Sequence, residues 1–396
     1  MKESVPVNSE VLRWARVSMN LSLEEVATRM KRGVQEIEDW ERGRAFPSYV
    51  QLETLAYKIY KRPLALFFFP HPPEEGTIEQ SFRTLPEYQL QRIPSRMHFL
   101  LRKATVLQLN LAELHDGANP ATRGILHDLD FSPSIAADRM AEEVRDYLGI
   151  ELSEQQDWRG TDDALEHWRN ALEECGVFVF KDSFNPQGKK KPNAGDSPFS
   201  GFCLYHREFP VIYVNNNKPK SRQIFTLFHE LAHLLMHTGG VDTRQDDYIE
   251  HLTGDDKRIE ILCNRFAAEF LVPTRDFQIH SSGVIIDDHA IENLERRYWV
   301  SRETILRRLL DQGRVGREYY ERKARQWRDE RKGGDRGGGN YYRTKGIYLG
   351  ERYIETVFNH YHRGRISVGQ VADYLDVKTK NVPGMEEWLF ERGARA

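Results

Sequence analysis

Apolar positions recur at helical spacing along the first seventy residues. Val11, Leu12, Trp14 and Ala15 form one group, Leu23, Val26, Ala27 and Met30 a second, Ile37 and Trp40 a third, and Leu52, Leu55, Ala56 and Ile59 a fourth. Residues three and four apart share one helix face, so this pattern predicts several short helices between about 8 and 70. Ser22 followed by Glu25 is a capping box that opens one of them. Gly43 closes another, and Pro47-Ser48 opens the next. Pro70-His71-Pro72-Pro73 is a stiff break that predicts a domain boundary.

Helical spacing resumes from about 95 to 176, with a connection near Gly117-Ala118-Asn119-Pro120. Val177 to Phe180 reads as a short strand, and 184–199, rich in Lys, Pro, Gly, Asn and Ser, as an exposed loop. Phe202 to Tyr205 and Val211 to Val214 are strand-like runs, and His206 to Pro210 between them makes a hairpin. A helix is predicted from about Arg222 to His237, ending at Gly239-Gly240, and another from about Lys257 to Leu271, ending before Pro273. Residues 284–330 read as helical and charged, and Lys332 to Gly339 as a flexible linker. A last small helical module covers about 349–396, where Ile366 to Val377 has the rhythm of a second helix-turn-helix-like unit or a docking module.

Composition narrows the classes. A chain of 396 residues suits two or three domains, and 39% hydrophobic with 30% charged residues is a globular composition. The net charge of -3 means that any nucleic-acid contact must come from a local patch. Cys175, Cys203 and Cys263 are odd in number and far apart, which speaks against a disulfide framework and fits a reducing, cytoplasmic setting. The N-terminus has no apolar signal region, and the longest apolar run, Leu64 to Phe69, is too short to cross a bilayer, so no membrane partner is expected. Phe67-Phe68-Phe69 then reads as domain core or a docking edge. The arginine-rich stretch around Arg307, Arg308, Arg317, Arg322 and Arg325, with Tyr319, Tyr320 and Trp327 interleaved, is diluted by acids and reads as a solvated helix face in preference to a nucleic-acid surface.

The chemistry concentrates at His229-Glu230-Leu231-Ala232-His233. Residues four apart lie on one helix face, so His229 and His233 reach one ion together. Zinc accepts two imidazoles, a carboxylate and an open water position. Glu230 is placed to act as general base on that water. The surrounding Phe225, Leu227, Phe228, Leu231, Leu234 and Leu235 make the helix core-facing. The competing reading is two hydrogen-bonded core histidines with a surface glutamate. Glu260 is the expected third ligand, with Asn264 one turn on as the hydrogen-bonding support of a ligand histidine. Glu269 is the alternative carboxylate, read as a solvent-facing helix charge. His237 stands about 12 Å along the axis from His229 and reads as a helix C-terminal histidine. An exposed edge at Pro210 to Val214 would hold an extended peptide by β-addition, unless the hairpin is purely structural.

Phe225 to His233, followed by Glu260, Cys263-Asn264, Phe266-Ala267-Ala268 and Phe270-Leu271-Val272-Pro273, resembles the ImmA/IrrE metallopeptidases, as do Gly201-Phe202 and Pro210 to Asn215. The strongest similarity covers about 165–275. It implies His229, His233 and Glu260 as zinc ligands, Glu230 as the catalytic glutamate, and a repressor-like protein as substrate. At the N-terminus, the spacing of Ala27, Met30, Ile37, Trp40, Glu41, Gly43 and Pro47 is that of a helix-turn-helix and resembles the XRE (lambda-repressor-like) family. The helices would be about 22–30 and 34–42. The resemblance places Val34, Gln35, Glu36 and Glu38 where bases are touched, with Arg13, Arg16, Lys31, Arg32, Arg42 and Arg44 beside the groove. The turn reads Lys31-Arg32-Gly33 instead of the usual Gly-Val-Ser, and Glu36, Glu38, Asp39 and Glu41 make the recognition helix acidic. The alternative is a retained fold used for protein contact.

The expected protein is therefore multidomain and mainly α, with an all-α helix-turn-helix domain (1–73), a helical connector (74–150), a small α+β zincin-like metallopeptidase domain (151–280), a helical extension (281–332), a linker (333–348) and a C-terminal module (349–396). The expected function is a gluzincin-like, Zn2+-dependent endopeptidase that cleaves a repressor or toxin-like partner. Operator DNA and a homodimer are the further expected partners. The alternative is a transcriptional regulator or antitoxin whose zinc domain is a sensor or scaffold.

Overall fold

A computed structural model describes residues 4–74, 93–185, 197–238, 241–243, 254–330 and 340–393. Lys332 to Gly339, the helix stop Gly239-Gly240 and most of the loop 184–199 lie outside the described residues, while the second half of the linker expected at 333–348 is helix, Tyr341–Leu349, opened by the Asn340 cap. The chain forms two compact units, Met1–Lys103 and Ala104–Ala396.

In the first unit, helix α1 (Ser9–Val17) is capped by Asn8, whose side chain accepts from the backbone N–H of Glu10 and Val11. Helix α2 (Leu23–Met30) opens on the Ser22/Glu25 capping box, and α3 (Val34–Glu41) follows the turn at Lys31, which is left-handed at φ 55. Helix α4 (Tyr49–Glu53) starts on a second box, Ser48 with Gln51, and continues as a π-helical stretch, Thr54–Tyr60. Val11, Ala15, Val26, Ile37, Trp40, Leu52, Ala56 and Phe67 close the core. Of the three phenylalanines only Phe67 is inside; Phe68 and Phe69 are each 49% exposed. Arg16 clamps α1 to the end of α3 by a two-pronged bond to Glu41, at 2.7 and 2.9 Å. Such paired, charge-assisted bonds fix geometry as well as energy.

The division between units falls within α5 (Ser95–Leu114). The second unit continues with α6 (Ile125–Asp128), α7 (Ala137–Leu148), α8 (Leu152–Asp157) and α9 (Thr161–Glu174). Strands β1 (Phe178–Asp182), β2 (Phe199–Leu204) and β3 (Val211–Asn215) lead to α10 (Lys220–Leu235), β4 (Val241–Thr243) and α11 (Gly254–Leu271). The sheet order is β1-β3-β2-β4. β1 runs parallel to β3 from Phe178↔Val211 to Asp182↔Asn215, and β2 pairs antiparallel with both β3 and β4. The expected hairpin is present, but Pro210 to Val214 is no edge. β3 is bonded on both sides, so its backbone has no free row to offer a peptide. The loop 184–199 is also less exposed than its composition suggests where it is described, since Phe184 is buried.

Helices α12 (Thr274–Ser281), α13 (Asp288–Tyr298), α14 (Arg302–Asp311) and α15 (Arg317–Glu330) extend the body. Arg307 and Arg317 meet local acids, Asp311 and Glu321, on an exposed face, but Arg308 turns inward to Glu269 and the Val272 carbonyl and Trp327 is core, so the expected solvated face holds for only part of the stretch. Helices α16 (Tyr341–Leu349), α17 (Glu351–His362), α18 (Val368–Tyr374) and α19 (Val382–Gly393) form the C-terminal module. It packs on β1: Tyr353 meets Phe180 edge-on at 5.3 Å, and buried Arg169 of α9 donates to the Ile347 carbonyl at 3.0 Å and to Val179 of β1. Among the described residues no helix is long and apolar enough to cross a membrane.

Lys181 of β1 is fully buried, with Nζ 3.5 Å from Glu166. Burial first, and the neighbouring Arg169 second, push its ammonium down to about 7, against the pull of Glu166. Between that value and the ordinary 10.5, the unfolded chain holds a proton that the native state lacks. Stability contributed by Lys181 therefore rises with pH through this window. Lys181→Met is expected to flatten that rise and to raise the urea midpoint at pH 7. A mutant midpoint that tracks the parent from pH 7 to 10 would refute the assignment.

Candidate metal centre

The strand end that precedes α10 is fixed by buried Asn215. Its side-chain oxygen accepts from the backbone of Phe184 (3.3 Å) and Asn217 (3.0 Å), and its amide donates to the Phe199 carbonyl at 2.8 Å. The turn it holds leads through Pro219 into α10, where Gln223 donates back to the Lys218 carbonyl at 2.8 Å. Farther along, α10 lies directly on β2 at Gly201. A Cβ there would stand 2.4 Å from Thr226 Cγ2 and 3.0 Å from the Tyr213 carbonyl, so only glycine lets helix and strand approach this closely.

Seated in this way, α10 brings His229 and His233 to one face, with their Nε2 atoms 3.2 Å apart. Helix α11 packs beside it and supplies Glu260, whose oxygens stand 3.5 Å from His229 Nε2 and 3.3 Å from His233 Nε2. All three side chains are buried, none more than 2% exposed. Among the described residues, these three form the group able to hold a metal ion. The donor set fits one. Neither Glu260 oxygen receives a hydrogen bond, and a buried carboxylate left so is costly unless a cation answers it. Burial alone would raise its pKa; the two imidazoles, when protonated, outweigh that and hold it well below the usual carboxylate range, the same service a cation renders when both rings are neutral.

Glu230 is buried as well, which removes the reading with a surface glutamate. It and Glu260 lie close enough to Cys263 that, after burial, their charges are the next causes holding the thiol protonated. Asn264 is half-buried one turn beyond Glu260, and among the described residues no hydrogen bond joins it to either imidazole. Among the described residues it is Thr238 that meets His233, with Oγ1 3.1 Å from Nδ1. Sequence reasoning missed it, because nothing in a lone threonine beyond a helix end announces such a contact. His237 is exposed at the C-terminal turn, as expected, 3.9 Å from Asp130. Glu269 is not a solvent-facing charge. It caps α12 through the Thr274 backbone (2.7 Å) and hydroxyl (2.6 Å) and pairs with Arg308 at 2.7 Å.

Residues 173–310 match the Peptidase_M78 family, described as an IrrE N-terminal-like domain. The match runs from the last turn of α9 to α14 and contains the whole His/His/Glu group. A metallopeptidase family thus covers the segment that carries the site. Among solved structures, a Mycobacterium tuberculosis transcriptional regulator is 23% identical, with 44% of this chain and 46% of that chain covered and a TM-score of 0.27. The chain spans less than half of that regulator's length. No curated protein matches.

In the first unit, the candidate DNA contacts gather on α3 and its flanks. Val34 and Gln35 are exposed and Glu36 is half-buried. The three arginines are already engaged by the helix's own acids: Arg32 with Glu36 at 3.9 Å, Arg42 with Glu38 at 2.6 Å and Arg44 with Asp39 at 2.6 Å. Gln35 donates to Glu38 and Asp39.

Gly201→Ala is expected to lower the unfolding free energy by about 1–3 kcal/mol, since the added methyl forces helix and strand apart. The readout is the urea midpoint at constant m-value. An unchanged midpoint would show that α10 has room to spare.

Proposed function

We propose that this protein is a zinc-dependent, gluzincin-like endopeptidase that cleaves a regulatory partner, a repressor or toxin-like protein, under an N-terminal helix-turn-helix module. The observation that carries this reading is a buried Glu230 next to the converging His229, His233 and Glu260. The family match over the same segment supports it. His229 and His233 would hold the ion through Nε2, and Glu260 through its carboxylate. When bound, zinc supplies a Lewis acid that polarises water and a peptide carbonyl. Glu230 takes the proton of the attacking water and passes one to the leaving amine. The core around α10 excludes bulk water, which strengthens each of these charges.

The parent protein and Glu230→Gln should carry equal zinc. Incubated with proteins encoded beside it, the parent should cleave its substrate, and the variant should do so about 10²–10⁴-fold more slowly. A zinc-loaded parent that cleaves nothing and holds a partner in a stable complex would favour the second reading, a regulator or antitoxin with zinc as sensor or scaffold. The burial of all four groups speaks for that alternative, since a substrate must gain entry.

Helices α2 and α3, joined by the short turn Lys31–Gly33, support the helix-turn-helix reading, and operator DNA with a paired homodimer belongs to it. For DNA to bind, the arginines around α3 must exchange carboxylates for phosphates. Glu38→Gln with Asp39→Asn frees Arg42 and Arg44 and is expected to raise affinity for duplex DNA. It should also steepen the log-affinity against log-salt slope by about 1.8, two phosphate contacts at roughly 0.9 each. Fluorescence anisotropy over a salt series measures both. An unaltered slope would place DNA elsewhere or nowhere.

A further inference from the structure

We infer that Thr238 is a positioning residue for the ligand His233: its hydroxyl fixes the imidazole with the proton on Nδ1 and so presents the Nε2 lone pair to the ion. This rests on the zinc reading above. A threonine hydroxyl has one proton to give. Thr238 gives it to the His233 carbonyl, which can only accept, at 3.0 Å. The contact between Thr238 Oγ1 and His233 Nδ1, at 3.1 Å, is then a hydrogen bond only if Nδ1–H donates. That leaves Nε2 unprotonated, facing His229 Nε2 at 3.2 Å and Glu260 at 3.3 Å. A neighbour that fixes the tautomer of a ligand imidazole also orients the ring and raises its basicity.

The backbone makes this placement compulsory. Helix α10 ends in a paired C-terminal turn, in which the Thr238 N–H bonds to the His233 carbonyl at 2.9 Å and the His237 N–H to that of Leu234 at 3.0 Å. This is the Schellman arrangement, and it needs a left-handed residue between helix and Thr238. His237 takes that conformation at φ 55, with its ring 4.9 Å from that of Tyr205. The residue five beyond the second histidine is thereby folded back onto it.

The test compares zinc affinity, by chelator competition, in the parent, Thr238→Val and Thr238→Ser, with metal-free urea unfolding of each. Valine keeps the shape and loses the hydroxyl; serine keeps the hydroxyl. Thr238→Val is expected to lose about 10–100-fold in zinc affinity, and Thr238→Ser to retain the parent value. Thr238→Ala carries the same expectation as valine should the valine variant fail to fold. In ¹⁵N-labelled, zinc-loaded protein, the His233 Nδ1–H proton should exchange slowly in the parent and serine forms and quickly in the valine form. Parent-like zinc affinity in Thr238→Val, or equal losses in the valine and serine variants, would overturn the assignment. Tight zinc binding without cleavage of any partner would sink the peptidase reading and leave the role of Thr238 standing.

Discussion

Two imidazole nitrogens and a carboxylate face one another at 3.2 to 3.5 Å, shut away from water. Groups that can all accept and cannot be solvated repel each other unless positive charge stands among them. Such a cluster survives only if its surroundings cannot relax. Helix α10 sets the histidine spacing through its pitch, α11 sets the carboxylate against it, and Gly201 lets Thr226 of α10 lie directly on the strand backbone. Phe228 of α10 stacks on Phe270 of α11 at 4.0 Å, and Trp168 of α9 meets both edge-on at 5.0 and 5.2 Å, which holds the two helices together.

What was legible in the sequence is what is local. Histidines four apart on an apolar helix, the capping box at Ser22 and the hairpin of β2 and β3 all depend on neighbours within a few residues, and Glu260, 27 residues beyond His233, was legible from the apolar pattern of its own helix. The status of β3 does not. Its second partner, β1, lies about thirty residues upstream and runs parallel, and parallel pairing leaves no turn to be read. Asn264 was the natural candidate for the support of a ligand because helical spacing aims it near Glu260. Thr238 was invisible because its position depends on a histidine, where glycine is the usual residue, adopting a left-handed backbone. Glu269 misled for a related reason: its partners Thr274 and Arg308 follow a proline turn and two further helices.

The first unit shows how charge pattern and fold can diverge. The apolar stripe of α3, Ile37 and Trp40, is that of a helix packed into a small bundle, and it is packed so. The polar stripe has its flanking cations bound to its own acids. The fold is thus set by the buried face alone, while binding depends on how readily the outer ion pairs open. Exposed pairs of this kind are weak, and salt screens them further.

The packing of the C-terminal module against β1 has a consequence for how the molecule meets its neighbours. An open sheet carries an unpaired row of amides and carbonyls at each margin, and each row is a template on which another chain can grow. Here the chain's own last helices roof one margin, secured by a buried guanidinium that reaches from α9 to both the strand and the roof. The other margin among the described residues is the three-residue β4, which joins β2 with an irregular register. Shortening the chain at those last helices would therefore bare the flank of β1, with Phe180 and the Arg169 guanidinium, as well as remove a module.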